Sequence, residues 1–118
     1  MAKIMIGDDE PDIIFTTKRM LEREGYDVEV ARSGKECLDR IKKEKPDIVL
    51  LDIMMSKIDG WEVCKKIKES KMGVPVSMLS VRRSDDSVKK SLEYAHADNH
   101  LTKPINIKEV IKTVKDLV

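Results

Sequence analysis

The sequence has few cysteines and no long apolar run. Its two cysteines, Cys37 and Cys64, are too few for a disulfide scaffold, so we expect reduced thiols and a cytoplasmic location. The longest apolar run has only four residues, Ile48 to Leu51, whereas a bilayer-spanning helix needs roughly 20. The N-terminus shows no signal-peptide pattern. These absences exclude the secreted disulfide-rich and transmembrane classes, and we expect no membrane partner.

The sequence also lacks an excess of charge of either sign. The 23 Lys and Arg residues face 22 Asp and Glu residues, for a net charge of +1. We therefore expect no direct binding of nucleic acid and no attraction to anionic lipid. There is no internal repeat or low-complexity linker among the 118 residues, of which 41% are apolar. That length and composition predict one globular domain over residues 1–118.

Short runs rich in Ile and Val alternate with amphipathic stretches. We predict strands at 3–7, 27–31, 47–52, 74–80 and 98–102. Helices are expected from Pro11, from a Ser33 cap with Glu36 in a capping box, from Gly60, from Ser84 or Asp85, and around Ile107. The fourth of these helices should bury Val88, Ser91, Leu92 and Ala95 on one face. Five repeats of strand and helix predict a mostly parallel sheet covered by helices on both faces.

Charged and polar side chains follow four of the five predicted strands. Acidic residues come first, with Asp8, Asp9 and Glu10 after strand one and Asp52 at the end of strand three. Ser80 ends strand four, and Lys103 follows strand five. The carboxyl ends of parallel strands meet at one edge of a sheet, where such folds bind their ligands. The sequence therefore predicts that these groups converge in a single site.

The chemistry of the first loop points to a cation. A nucleotide-binding loop offers glycines and backbone N–H groups to phosphate, whereas this loop offers carboxylates. Carboxylate oxygens favour a hard ion, Mg²⁺ before a transition metal. Lys103 and Ser80 could then meet the oxygens of a phosphoryl group. A nucleotide-binding or flavin-binding enzyme is accordingly disfavoured.

Five segments carry a resemblance to a known family. They are IMIGDDEPDI at 4–13, DIVLLDIMM at 47–55, DGWEV at 59–63, VPVSMLS at 74–80 and LTKPI at 101–105. Together they resemble the response-regulator receiver domain of two-component signalling, in particular the single-domain chemotaxis regulators. The resemblance implies a flavodoxin-like α/β fold, in which five helices cover both faces of a five-stranded parallel sheet of order 2-1-3-4-5.

The resemblance also implies a role for each site residue. Asp52 is the expected phosphoacceptor, Ser80 senses the phosphoryl group, and Lys103 pairs with it next to a cis bond to Pro104. The expected cofactor is Mg²⁺, held by Asp8, Asp9, Asp52 and the backbone carbonyl of Met54. The phosphoryl donor would be a phosphohistidine of a sensor histidine kinase or phosphotransfer protein. The product would act on a downstream target protein or effector domain. Such a protein is a regulator that catalyses only its own phosphorylation and dephosphorylation, and not an enzyme in the usual sense.

Four residues depart from the family pattern: Gly7, Ser56, Val81 and His100. Gly7 weakens packing at the end of a central strand, and Val81 adds bulk beside the phosphoacceptor. His100 stands where the family carries an aromatic switch residue. It is either a pH-sensitive switch ring or an imidazole with no special role. These departures motivate an alternative, a receiver-like interaction module that binds metal but no longer switches.

Overall fold

The structure is a computed structural model, and it describes residues 2–55, 59–80, 85–103 and 106–118. The predictions that concern Ser56, Val81, Ser84 and the Lys103–Pro104 bond rest on residues outside these ranges.

The described residues form one parallel sheet of five strands in the order β2-β1-β3-β4-β5. The strands are β1 (Lys3–Gly7), β2 (Asp27–Ala31), β3 (Ile48–Asp52), β4 (Val76–Ser80) and β5 (Asn99–Thr102). Gly7 pairs with Leu51, Asp52 pairs with Leu79, and Ser80 pairs with Thr102. The carboxyl ends of the strands are therefore level at one edge, as predicted.

Five helical elements cover the sheet in the described part of the chain. They are α1 (Pro11–Arg23), α2 (Gly34–Glu44), α3 (Gly60–Glu69), α4 (Asp85–Lys89), which continues as a π-helical segment (Lys90–Tyr94), and α5 (Ile107–Leu117). The predicted cap of α2 is present, with Ser33 Oγ accepting from the Glu36 N–H at 3.1 Å. The Glu36 carboxylate accepts from Arg32 N–H, one residue before the capping-box position. The fold class inferred from the resemblance is thus confirmed.

Each central strand buries both of its faces. On β1, Met5 packs toward the side of α2 and α3, whereas Ile4 and Ile6 pack toward α1 and α5. All five residues of β3 are buried. This two-sided burial explains why the strand sequence IVLLD is a continuous apolar run that ends in an acid. The same burial withdraws the terminal Asp52 from water.

Some details of the predicted elements were wrong. The prediction that Leu92 is buried fails, because its side chain is 43% exposed, and Val88 is only half-buried. The buried face is formed by Ser87, Ser91 and Ala95. The helix widens here into a π turn, in which Ala95 N–H donates to Lys90 O. Its buried residues are therefore four positions apart, and not three or four in alternation as in a regular α-helix. Strand β4 begins at Val76 and not at residue 74, since Pro75 has no N–H to donate to the hydrogen-bond ladder of a neighbouring strand.

Gly7 does not leave a hole at the end of β1. A Cβ atom at this position would lie 2.6 Å from Leu51 Cδ1 and 3.7 Å from Cys37 Sγ. The Leu51 side chain thus occupies the space that a branched residue would fill. Leu51 on the neighbouring strand therefore compensates for the packing that was expected to be lost at Gly7.

Candidate functional site

Strand ends position the three most buried charged groups of the site. Asp8 follows β1 directly, and its N–H donates to Ala31 O at 3.1 Å. Asp52 is the last residue of β3. Lys103 follows β5, and its N–H donates to Ser80 O at 2.7 Å. Backbone pairing therefore fixes where each side chain starts, and the side chains meet above the edge of the sheet.

Lys103 lies at the centre of the acidic cluster. Its Nζ is 3.0 Å from Asp8 Oδ2, 3.5 Å from Asp52 Oδ1 and 3.8 Å from Glu10 Oε1. The Asp8 and Lys103 side chains are 1% and 6% exposed. Buried charges are stable only when they are paired, so the lysine offsets the repulsion among the carboxylates.

The donor set of the pocket fits a hard divalent cation. Carboxylate oxygens of Asp8, Glu10 and Asp52 all lie within 4.8 Å of one another. Within the described residues, Asp52 Oδ2 is buried and has no hydrogen-bond partner. A buried carboxylate oxygen without a partner is expensive unless a proton or a cation satisfies it. Three carboxylates at this spacing offer the oxygen ligands that Mg²⁺ prefers.

The structure brings two of the predicted carboxylate ligands for the metal together, but not the third. Asp8 and Asp52 belong to the cluster, whereas the half-buried Asp9 stands outside it. Glu10, which the sequence did not single out as a ligand, takes part instead. Its position as the third acid in a row was the available signal. The N-cap of α1 is Glu10, and its side chain makes no capping bond.

Met54 reaches the site through its backbone. Its N–H donates to Asp52 Oδ1 at 3.3 Å, while its side chain is 53% exposed. The role of its carbonyl as a metal ligand stays a prediction. The exposure also shows that the side chain of Met54, unlike that of the buried Met55, does not serve the core.

Burial and charge shift two pKa values in the pocket. Burial raises the pKa of Asp52 from 3.8 to about 6, the negative Asp8 adds to the rise, and Lys103 and the Met54 N–H oppose it. Burial by itself lowers the pKa of Lys103, but the hydrogen bond to Asp8 and the charges of Asp52, Asp8 and Glu10 together raise it. The pocket thus holds a protonated lysine beside a carboxylate that is hard to ionise.

Ser80 and His100 lie on the neighbouring strands β4 and β5. Ser80 is the fully buried last residue of β4, one position after the residue that pairs with Asp52. His100 is a half-buried residue of β5, and its Nδ1 lies 2.8 Å from Ser91 Oγ. The roles of Ser80 as a phosphoryl sensor and of His100 as a switch ring stay predictions.

The sheet order and the acidic pocket at its carboxyl edge define a doubly wound α/β protein of the response-regulator type. The sequence pattern of the response regulator receiver domain matches residues 4–115, and the chain belongs to this family. Receiver domains are the phosphoacceptor regulators of two-component systems rather than classical enzymes. They bind Mg²⁺ in an acidic pocket and interact with histidine kinases and downstream effectors.

One similar protein is the alkaline phosphatase synthesis transcriptional regulatory protein PhoP of Bacillus subtilis. It is 40% identical over 116 residues, which are 98% of this chain and 48% of PhoP. The chain thus spans about half of that relative's length.

Two solved structures share the fold along almost the whole chain. A two-component response regulator from Clostridium difficile has a TM-score of 0.92 at 30% identity, covering 99% of this chain and 95% of that one. The chemotaxis protein CheY4 of Vibrio cholerae has a TM-score of 0.92 at 28% identity, covering 100% and 99%. No helix among the described residues is both long and apolar enough to cross a membrane.

Proposed function

We propose that this receiver domain, over residues 1–118, accepts a phosphoryl group on Asp52 and thereby changes its partner-binding surface. One observation carries the proposal. The buried Asp52 carboxylate keeps one oxygen, Oδ2, without a hydrogen-bond partner in the described residues, while its other oxygen lies 3.5 Å from the Lys103 ammonium. That oxygen has no competing hydrogen bond among the described residues, and a positive charge stands beside the place where negative charge would develop.

The transfer step follows from this arrangement. A lone pair of an Asp52 oxygen attacks the phosphorus of a phosphohistidine, the P–N bond breaks, and the leaving imidazole nitrogen takes up a proton. Asp52 becomes an acyl phosphate, and Lys103 offsets charge on the phosphoryl oxygens. Ser80, whose carbonyl already holds the Lys103 N–H, offers its hydroxyl to another of those oxygens. In the separate dephosphorylation step, water attacks phosphorus and the P–O bond to Asp52 breaks. The Asp52 carboxylate is regenerated, and inorganic phosphate leaves with the oxygen of the water, whose proton passes to the phosphate or to solvent.

The family resemblance assigns the metal to Asp8, Asp9, Asp52 and the Met54 carbonyl, and the clustered carboxylates add Glu10 as a candidate ligand. When bound, Mg²⁺ supplies positive charge that neutralises oxygens of the transferred group. The chain's own contribution is to hold these oxygens in place before the metal arrives. It does so through the Asp8–Lys103 hydrogen bond and the N–H of Met54.

The proposed partners follow from the same chemistry. The donor is a sensor histidine kinase or a phosphotransfer protein, and the recipient of the signal is a downstream target protein or an effector domain. The balanced net charge of +1 favours a protein partner over direct contact with nucleic acid. We therefore expect the protein to act in the cytoplasm.

Intact-mass spectrometry after incubation with Mg²⁺ and acetyl phosphate tests the proposal. Wild type is expected to gain one phosphoryl group, and Asp52→Asn none. Asp47→Asn is a matched control at the exposed residue just before the same strand, and it should be modified like wild type. An equal adduct in Asp52→Asn, or no adduct in wild type, would refute the proposal. Binding of Mg²⁺ without any adduct would support the non-switching interaction module instead.

A further inference from the structure

Three side chains from distant parts of the sequence form one hydrogen-bonded chain. Trp61 Nε1 on α3 donates to Ser91 Oγ at 2.9 Å, and the same Oγ lies 2.8 Å from His100 Nδ1 on β5. Ser91, in the π-helical segment that continues α4, has no exposed surface. One buried hydroxyl therefore links α3, the π-helical segment and β5.

The chemistry of the hydroxyl fixes the direction of these bonds. The indole N–H can only donate, so it occupies a lone pair of Ser91 Oγ. Within the described residues, His100 Nδ1 is the other partner of that oxygen. A buried hydroxyl hydrogen without an acceptor is costly, so the Ser91 O–H donates to His100 Nδ1, which accepts. In the neutral form of the His100 ring, the proton is then on Nε2.

The Trp61 end of the chain rests against the phosphoacceptor strand. Trp61 follows Gly60, whose N–H donates to Ile53 O at 2.7 Å. A Cβ atom on Gly60 would lie 2.1 Å from Asp52 O, so the first turn of α3 touches the Asp52 backbone. The indole is therefore carried by a segment that packs against the backbone of the nucleophile.

We propose that Ser91 is a positioning residue that sets the His100 ring and the first turn of α3 together. Through it, a rearrangement at β5 reaches the backbone of Asp52 along a route separate from the Ser80 hydroxyl. The consequence for phosphorylation rests on the proposed function of Asp52. The hydrogen-bond pattern itself does not depend on that function.

Nitrogen NMR tests the hydrogen-bond pattern. Trp61 is the only tryptophan and His96 the only other histidine, so one indole signal and two imidazole patterns are expected. In the neutral ring of wild-type His100, Nδ1 should lack a proton and Nε2 should carry one. Ser91→Ala should move both the indole and the His100 signals, and Ser91→Thr should keep the wild-type pattern.

Two matched substitutions control this experiment. Ser77→Ala removes another fully buried hydroxyl, one that has no partner in the described residues, and should leave both signals in place. His100→Gln should move the indole signal, whereas His96→Gln should not. A neutral His100 with its proton on Nδ1, or an indole signal that is the same in Ser91→Ala as in wild type, would overturn the proposal.

The rate of adduct formation with acetyl phosphate tests the consequence. Ser91→Ala should slow it by about fivefold, a magnitude typical of coupling through a packed network. Ser91→Thr and Ser77→Ala should stay close to wild type. A Ser91→Ala rate equal to wild type refutes the coupling to Asp52 and leaves the proposed function intact. If wild type forms no adduct, the proposed function fails, and the NMR experiment still decides the hydrogen-bond pattern.

Discussion

The buried Asp52 carboxylate, the proposed phosphoacceptor, lowers the stability of the fold when it is ionised. Its pKa rises from 3.8 to about 6 on folding, chiefly because the carboxyl is buried. An acid with a raised pKa binds its proton more tightly in the folded state, so ionising it destabilises the fold. The penalty is absent below about pH 4, grows as the pH rises toward 6, and is fully present above that. A shift of about 2 units corresponds to roughly 3 kcal/mol.

Asp52→Asn should therefore be more stable than wild type at pH 7.5 in the presence of a chelator, by about 2–3 kcal/mol. The amide keeps an acceptor for the Met54 N–H but carries no charge to desolvate. Urea unfolding at pH 7.5 and at pH 4 measures the difference, which should nearly vanish at the lower pH. Asp47→Asn, at an exposed position, should show no such pH-dependent gain. A constant difference at both pH values would contradict the assigned pKa.

For individual residues, the sequence predicted which groups meet at the edge of the sheet, but not the direction in which each side chain points. The convergence of Asp8, Asp52 and Lys103 was predictable because parallel strand ends share an edge. The choice between Asp9 and Glu10 depends on the direction of each side chain in a short loop, and both are acids in the same run. The contact between Trp61 and Ser91 spans 30 residues, and no local pattern marks it.

Among the elements, the start of α3 is the one most tightly bound to the site. Gly60 brings the helix so close to β3 that a Cβ atom would lie 2.1 Å from Asp52 O and 2.7 Å from Ile53 Cα. Both contacts are with backbone, which cannot rotate away as a side chain could. Any larger residue must push the helix off the strand that carries the phosphoacceptor.

Gly60→Ala should accordingly lower the unfolding free energy by about 3 kcal/mol, at the upper end of overpacking costs. It should also slow adduct formation with acetyl phosphate, because the Asp52 backbone shifts. Gly73→Ala is the control: its φ of +72° strains alanine, but no atom lies within 4 Å of the new Cβ. It should cost only about 1 kcal/mol and leave the adduct rate unchanged. Equal effects of both substitutions would show that the close approach at Gly60 is unimportant.

Element prediction succeeded where burial follows a simple period and failed where it does not. The continuous apolar run of β3 and the capping serine of α2 each predicted a boundary that the structure confirms within one or two residues. The fourth helix changes to a π turn at Lys90, which rotates Leu92 outward. That change depends on tertiary packing around Ser91 and Ala95, and the spacing of apolar residues in the sequence does not reveal it.

Over the whole molecule, the fold concentrates charge that the chain keeps far apart. Asp8 and Lys103 are separated by 95 residues, and the overall net charge is only +1. Among the residues that the structure describes, folding nevertheless brings three carboxylates and the Lys103 ammonium into one pocket. The described part of the pocket thus gathers carboxylates that the unfolded chain keeps apart, and a divalent cation should bind the folded state preferentially.

Mg²⁺ should raise the unfolding free energy of wild type, by about 2.7 kcal/mol when its concentration is 100 times the dissociation constant. The gain should shrink below about pH 6, because Asp52 then holds a proton in competition with the ion. Thermal unfolding with Mg²⁺, against Na⁺ at matched ionic strength, separates binding from screening. Asp52→Asn should lose most of the gain, and Asp47→Asn should keep it. An equal Mg²⁺ effect in all three proteins would place the ion elsewhere on the surface and remove the acidic pocket as its site.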